Sequence, residues 1–226
     1  MTDLLPPLPA LVVPATARPS AAKAAAKAVL HALATAAVLP WLVCYRVAAA
    51  LLGRDRALEG ASQALACLPG LTGVFLRRAF LARVLTRCDR SAEVSFGTLF
   101  SQAGAVIEAN VYVGPRCHLG LVHLERDVLI AAGVHIPSGG RTHYAADPTV
   151  PIKDQGGERR AVRIGAGAWV GSAAVVLADV GRGTIVGAGS VVTRPLPDYV
   201  IAAGVPAKVI RPRFAQGPGI LDEGTS

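Results

Sequence analysis

The stretch VRIGAGAWVGSAAVV, residues Val162 to Val176, decides the fold. Within it Ile164, Val170 and Val176 fall six residues apart, and Gly165 and Gly171 follow the first two. The same beat runs back through Ile136, Ile130 and Leu124 to Leu119, Val113 and Ile107, and forward through Val180, Val186 and Val192. A smaller or short residue stands two places ahead of many beats: Val111, Cys117, Val122, Val128, Val134, Val162, Ala168, Ala174, Thr184 and Ser190. A period of six fits neither the 3.6-residue turn of an α-helix nor the two-residue alternation of a flat sheet. It fits a parallel β-helix, in which each hexapeptide is one short strand and a corner. The beat residue then points into the stack, and the glycine after it turns the chain without a Cβ clash.

Three segments carry a family likeness: Trp169-Val170-Gly171, then Gly187-Ala188-Gly189-Ser190-Val191-Val192-Thr193, then Ala203-Gly204-Val205-Pro206-Ala207-Lys208-Val209-Ile210-Arg211. Together they resemble the hexapeptide-repeat acyltransferases, sugar and polysaccharide O-acetyltransferases among them. The likeness runs from about Val94 to Arg211, about half the chain. It implies a mainly β protein built on a left-handed parallel β-helix, acetyl-CoA as acyl donor, and a homotrimer with active sites in clefts between subunits. The repeat slips near Leu119 and near Val176, which leaves the coil boundaries open.

Composition agrees with narrow coils. Apolar residues make up 52 % of the 226, aromatics 5 %, and 24 are glycine. The net charge of +8 points either to anionic partners or simply to generous use of arginine. Cys44, Cys67, Cys88 and Cys117 show no CxxC spacing and read as small apolar residues in a reducing compartment, not as a disulfide framework. No cleavable signal peptide is evident. No recognised nucleic-acid-binding module appears, so nucleic acid is not expected as a partner.

The chain divides into a flexible segment 1–23, a helical and capping region 24–90, the β-helix 91–211 with a loop at 137–161, and a tail 212–226. Ala28 to Tyr45 is uncharged, with Pro40 mid-run and Trp41, Tyr45 and cations flanking it. That length is at the lower edge for a bilayer span. Spanning, interfacial and self-buried helices all remain open, and membrane association with monotopic attachment is favoured. Arg54 to Arg90 reads as two amphipathic helices broken at Leu68-Pro69-Gly70, with Leu76, Phe80, Val84 and Leu85 on the apolar face. Arg77, Arg78, Arg83, Arg87 and Arg90 then form either a solvated face or a contact for anionic headgroups. A cap is needed in any case, because the first coil of a β-helix otherwise exposes an open edge. Phe96 and Phe100 are large for a narrow coil; either one points out toward an acceptor or a neighbouring subunit, or they pack under the cap helices, which is preferred. Tyr112 and Trp169 pose the same question.

The segment 137–161 interrupts the beat and is polar, with several glycines and prolines. A long loop on a rigid scaffold is a usual place for function. His143 in it suits a general base, since neutral imidazole takes a hydroxyl proton near pH 7. The resemblance also places its catalytic histidine in such a loop. Asp147, Asp154, Glu158 or a backbone carbonyl could orient the ring. By the same resemblance Ser172, Ala188, Thr193, Arg194, Lys208 and Arg211 match positions that line CoA. Close backbone approach at Gly187 and Gly189, and phosphate pairing by Arg194, Lys208 and Arg211, make physical sense of that set. His118 and His123 offer a rival, a zinc hydratase of the carbonic-anhydrase type on the same fold, but His31 is the single upstream histidine and the third ligand is wanting. His135 alternates outward, to the surface or a subunit cleft. The reading is therefore an acetyl-CoA-dependent O-acetyltransferase without a metal, acting on a sugar or lipid-linked glycan at the inner face of the cell membrane in the cytoplasm. The alternatives are the zinc enzyme or a non-catalytic assembly protein.

Overall fold

The computed structural model describes residues 21–214, with side chains from residue 28. The expected flexible segment 1–23 and the tail 212–226 fall largely outside the described residues. Among the described residues four helices come first: α1 (Ala21–Ala37), α2 (Leu39–Leu52), α3 (Arg54–Ala66) and α4 (Gly70–Val84). Then the chain winds into a solenoid. Its first coil is β1 (Arg87–Cys88), β2 (Glu93–Val94) and β3 (Leu99–Phe100), and its second is β4 (Val106–Ile107), β5 (Tyr112–Val113) and β6 (His118–Leu119). The third is β7 (Val122–Leu124), β8 (Leu129–Ile130) and β9 (His135–Ile136), after which the long loop leaves. The fourth is β10 (Val162–Ile164), β11 (Trp169–Val170) and β12 (Val175–Val176). The fifth keeps β13 (Ile185–Val186) and β14 (Val191–Val192), with Val180 bridging in place of a strand. The last sheet-forming segments are β15 (Val200–Ala203) and β16 (Lys208–Pro212).

Corresponding strands stack into three sheets, β1-β4-β7-β10 (A), β2-β5-β8-β11-β13-β15-β16 (B) and β3-β6-β9-β12-β14 (C). All neighbours pair in parallel except the antiparallel β15–β16 pair at the end. Every beat residue from Ile107 to Val192 is at most 2 % exposed, and the residues two places ahead of them are as deeply buried, except the half-buried Ala178 ahead of Val180. The hexapeptide period is thus the spacing of inward-facing side chains. The buried polar members of that second set bond coil to coil. Thr98 Oγ1 donates to the Gly114 carbonyl at 2.7 Å, Thr184 Oγ1 to the Pro197 carbonyl at 2.6 Å, and Ser190 Oγ accepts from the Gly204 amide at 3.1 Å. The slips have a common cause. They fall where sheet C passes to sheet A, and the loop 137–161 leaves at the same corner. Gly171 shows why the beat wants glycine: a Cβ there would lie 2.5 Å from the Ala188 amide nitrogen of the next coil.

The helices close the open edge of the first coil. Ser62 Oγ accepts from the Phe100 amide at 2.8 Å and Asp55 Oδ1 from the Ala103 amide at 2.9 Å. Arg77 donates from Nε to the Val94 carbonyl at 3.0 Å and from one terminal nitrogen to the carbonyls of Leu65 and Leu68 at 3.1 and 2.7 Å. Arg78 reaches the Ala92 carbonyl at 3.2 Å and lies 4.8 Å over the Phe75 ring. Arg77 and Arg78 are therefore not on a solvated or headgroup-binding face. They are 2 % and 4 % exposed, turned inward because the first coil's carbonyls need donors. Burial holds both guanidinium groups below their usual pKa. Phe100 takes a buried beat position beneath α3, while Phe96 stays on the surface. The cysteines are unpaired; Cys88 and Cys117 are buried, and burial pushes the Cys88 thiol up to about 12.

The apolar run 28–45 is bent. α1 and α2 meet at 48°, where Pro40 lacks the amide that would bond the Ala36 carbonyl. Among the described residues no single helix is long and apolar enough to cross a membrane, although the bent pair reaches that length and composition together. Much of its apolar surface faces outward, with Val29, Leu33, Val43, Val47 and Leu52 at 57–63 % exposure and Leu51 at 77 %.

Candidate active site

The loop 137–161 is held at its root and along its stem. Ser138 Oγ accepts from the Leu121 amide at 2.9 Å, anchoring the exit of the third coil to the corner below it. The two limbs then run side by side: the Arg160 amide donates to the Ser138 carbonyl, Glu158 to Arg141 and Tyr144 to Gly156, at 2.8–3.0 Å. Gly157 lets them approach closely, since a Cβ on it would lie 1.9 Å from the Thr142 carbonyl oxygen. This ladder carries His143 outward as an exposed residue, and its ring has no hydrogen-bond partner among the described residues. None of the carboxylates proposed to orient it reaches it within the chain. Asp147 is occupied by the Thr149 amide and hydroxyl at 2.8 and 2.6 Å, and these bonds hold its carboxyl below the usual range.

The six residues read as CoA-lining are all exposed, on the coils beyond the loop. Ser172 and Ala188 sit on successive turns of the corner between sheets B and C, joined by the Gly189 amide donating to the Ser172 carbonyl at 2.8 Å. The next turn of that corner is Gly204, whose carbonyl accepts from Val191 at 3.0 Å, and the chain then returns as β16 with Lys208 and Arg211. Thr193 and Arg194 leave the far edge of sheet C after β14. The set therefore lies on the upper coils around the corner between sheets B and C, with Lys208 and Arg211 on β16 of sheet B, beside the outer face of sheet C.

The lower part of that face holds a cavity of about 560 Å³ that sequence reasoning did not find. His118 and His135, paired in register on β6 and β9, form its floor with ring centroids 6.2 Å apart. Asp55, Arg56 and Glu59 of α3 wall one side, and Thr142 and Arg159 of the loop reach the other. The spacing of 17 residues between the two histidines, one coil of the repeat, is the signal that could have paired them. His123 is elsewhere, on sheet A, with Nε2 at 2.9 Å from Glu108 Oε1. That contact, with the Arg126 amide, holds the Glu108 carboxyl below its usual range. His118 and His123 thus face different sheets, and His31 packs edge-on against Phe75. No group of three or more potential ligands among the described residues converges on a metal position.

A solenoid of stacked hexapeptides with a histidine-bearing loop at one corner defines the class as a hexapeptide-repeat protein. No protein-family model matches the chain. It is 31 % identical over 162 residues to the putative lipopolysaccharide biosynthesis O-acetyl transferase WbbJ of Escherichia coli K12, a match covering 62 % of this chain and 83 % of that protein. It is 47 % identical over 73 residues to the probable acetyltransferase Rv3034c of Mycobacterium tuberculosis, over 31 % of this chain but only 24 % of that protein's length. A maltose O-acetyltransferase from Clostridium difficile 630 shares the fold, with a TM-score of 0.59 at 21 % identity over 73 % of this chain and 89 % of the other. The chain belongs to the hexapeptide-repeat acetyltransferase family.

Proposed function

We propose that the protein is an acetyl-CoA-dependent O-acetyltransferase whose acceptor is a hydroxyl of a sugar or a lipid-linked glycan. The observation that carries this is that the histidine loop leaves the solenoid between the upper coils, which carry the proposed donor residues, and the lower coils, whose sheet C face bears the polar cavity. His143 takes the proton of the acceptor hydroxyl as that oxygen attacks the thioester carbonyl. The C–S bond then breaks and the thiol of CoA leaves, with no acyl-enzyme between. Ser172, Ala188 and the corner glycines receive the pantetheine arm, while Arg194, Lys208 and Arg211 meet the phosphates. Arg194→Ala and Lys208→Ala each raise the KM for acetyl-CoA about tenfold or more with kcat little changed, as loss of a charge-assisted contact worth about 1.5–3 kcal/mol implies. A kinetic titration of acetyl-CoA checks this, and unchanged KM in both variants counts against the assigned phosphate site.

A homotrimer is part of this reading. Tyr112, Leu129 and Trp169 stack in register on the outer face of sheet B and are each 37–49 % exposed, an apolar stripe suited to a second copy of the chain. Attachment to the inner face of the cell membrane from the cytoplasm is also part of it. The outward apolar residues of α1 and α2, with Arg46 and Arg54 exposed beside them, fit an anionic leaflet. Wild type is expected to sediment with vesicles containing phosphatidylglycerol. Leu33→Asp and Val43→Asp each lower that partitioning about tenfold or more, since each removes the burial of an apolar side chain worth about 1.5–3 kcal/mol. Equal sedimentation of wild type and both variants refutes the attachment.

A further inference from the structure

The cavity floored by His118 and His135 is bounded by the loop that bears His143, and none of its lining residues has a part in the mechanism above. Resting on the transferase reading, we propose that it is the acceptor site, that it takes the sugar head of a lipid-anchored glycan, and that His118 and His135 determine its specificity.

Its position is the first argument. It runs along the outer face of sheet C from Ser101 on the first coil past His118 and His135 to Val175 on the fourth. The proposed donor residues begin at Ser172 and continue on the coils above. The loop leaves between the third and fourth coils, and Thr142, which lines the cavity, is the neighbour of His143. A hydroxyl presented from the cavity and a thioester presented from above would meet at that loop.

Its chemistry is the second. The carboxylates of Asp55 and Glu59 are matched by the cations of Arg56 and Arg159. Ser101, Gln102 and the two imidazoles add groups that both donate and accept. A neutral ligand with many hydroxyls suits such a wall, whereas an anion or a cation would meet a like charge. Asp55 already accepts from the Ala103 amide, which fixes its carboxylate in place against the first coil.

A second cavity of about 510 Å³ shares Asp55 and Arg56 with the first and continues to Leu52 and Gly53. There α2 ends, with Leu51 and Leu52 at 77 % and 61 % exposure. The two cavities thus adjoin at Asp55 and Arg56, and the second lies against the end of α2 with its exposed leucines. An acceptor with its sugar head in the first cavity can lay an apolar tail across Asp55 and Arg56 toward Leu51 and Leu52.

The test uses matched methyl and octyl hexosides as acceptors, with free thiol released from acetyl-CoA followed for the full chain. The octyl member of an accepted pair is expected to show a KM about tenfold or more below its methyl counterpart. His118→Ala and His135→Ala raise the octyl hexoside KM about tenfold, with the KM for acetyl-CoA unchanged. Leu52→Asp removes the octyl preference and leaves the methyl hexoside KM alone. Equal KM values for methyl and octyl partners, or histidine variants that leave acceptor KM unmoved, overturn the proposal. So does a protein that binds CoA but releases no thiol with any hexoside. A protein that binds no CoA fails the transferase reading itself, a separate result read by equilibrium dialysis with CoA alone.

Discussion

Replacing His143 with alanine is expected to lower kcat by about 10²–10⁴-fold, the range in which a positioned general base contributes. CoA binding should persist, because the residues assigned to the donor lie on coils beyond the loop. The loop's shape does not depend on the imidazole. Its limbs are laced by backbone bonds from Ser138 to Tyr144, and its close crossing is set by Gly157 against Thr142. The ring, exposed and without a hydrogen-bond partner among the described residues, does no structural task there that alanine would abolish. Activity and CoA affinity should therefore separate in this variant. A kcat within threefold or so of wild type would remove His143 from the mechanism.

The second large effect is on stability. Arg77→Ala is expected to cost on the order of 3–5 kcal/mol. Hydrogen bonds from a charged donor are each worth about 1.5–3 kcal/mol and, sharing one guanidinium, they do not add fully. The carbonyls of Val94, Leu65 and Leu68 lose their donor together, at the joint between the helical cap and the first coil. Arg77→Met keeps most of the volume and removes the buried charge, so its cost is expected to be smaller. Thermal unfolding of both variants beside wild type measures this. Melting of Arg77→Ala at the wild-type temperature would show that α4 does not close the solenoid edge.

The β-helix was legible because its inward positions repeat with one period. Ile130, Val170 and Val186 each sit one strand after a corner, and each is buried for the reason the spacing states. The start of the repeat was harder to see. Cys88, Val94 and Phe100 occupy the same inward positions, but a cysteine and a phenylalanine hide the aliphatic beat there. Phe100 fits because the first coil is roofed by α3 and not by another coil. Arg77 and Arg78 misled for a related reason. A charge on a helix normally faces water, and only the unpaired carbonyls of a coil not visible in the helix's own sequence turn these two inward. The loop histidine stood out by interrupting the beat. The paired histidines did not, because His118 and His135 come together only through the stacking of β6 on β9, and the acidic wall opposite them depends on how α3 docks.

The most direct test of the account is transfer of a labelled acetyl group from acetyl-CoA by the full-length protein to a glycolipid fraction from bacterial envelopes, with the product located by mass spectrometry. An O-acetyl ester on a sugar hydroxyl is expected, formed with stoichiometric release of free CoA and absent with His143→Ala. Label that stays on CoA, with no CoA retained by the protein at equilibrium, would contradict it.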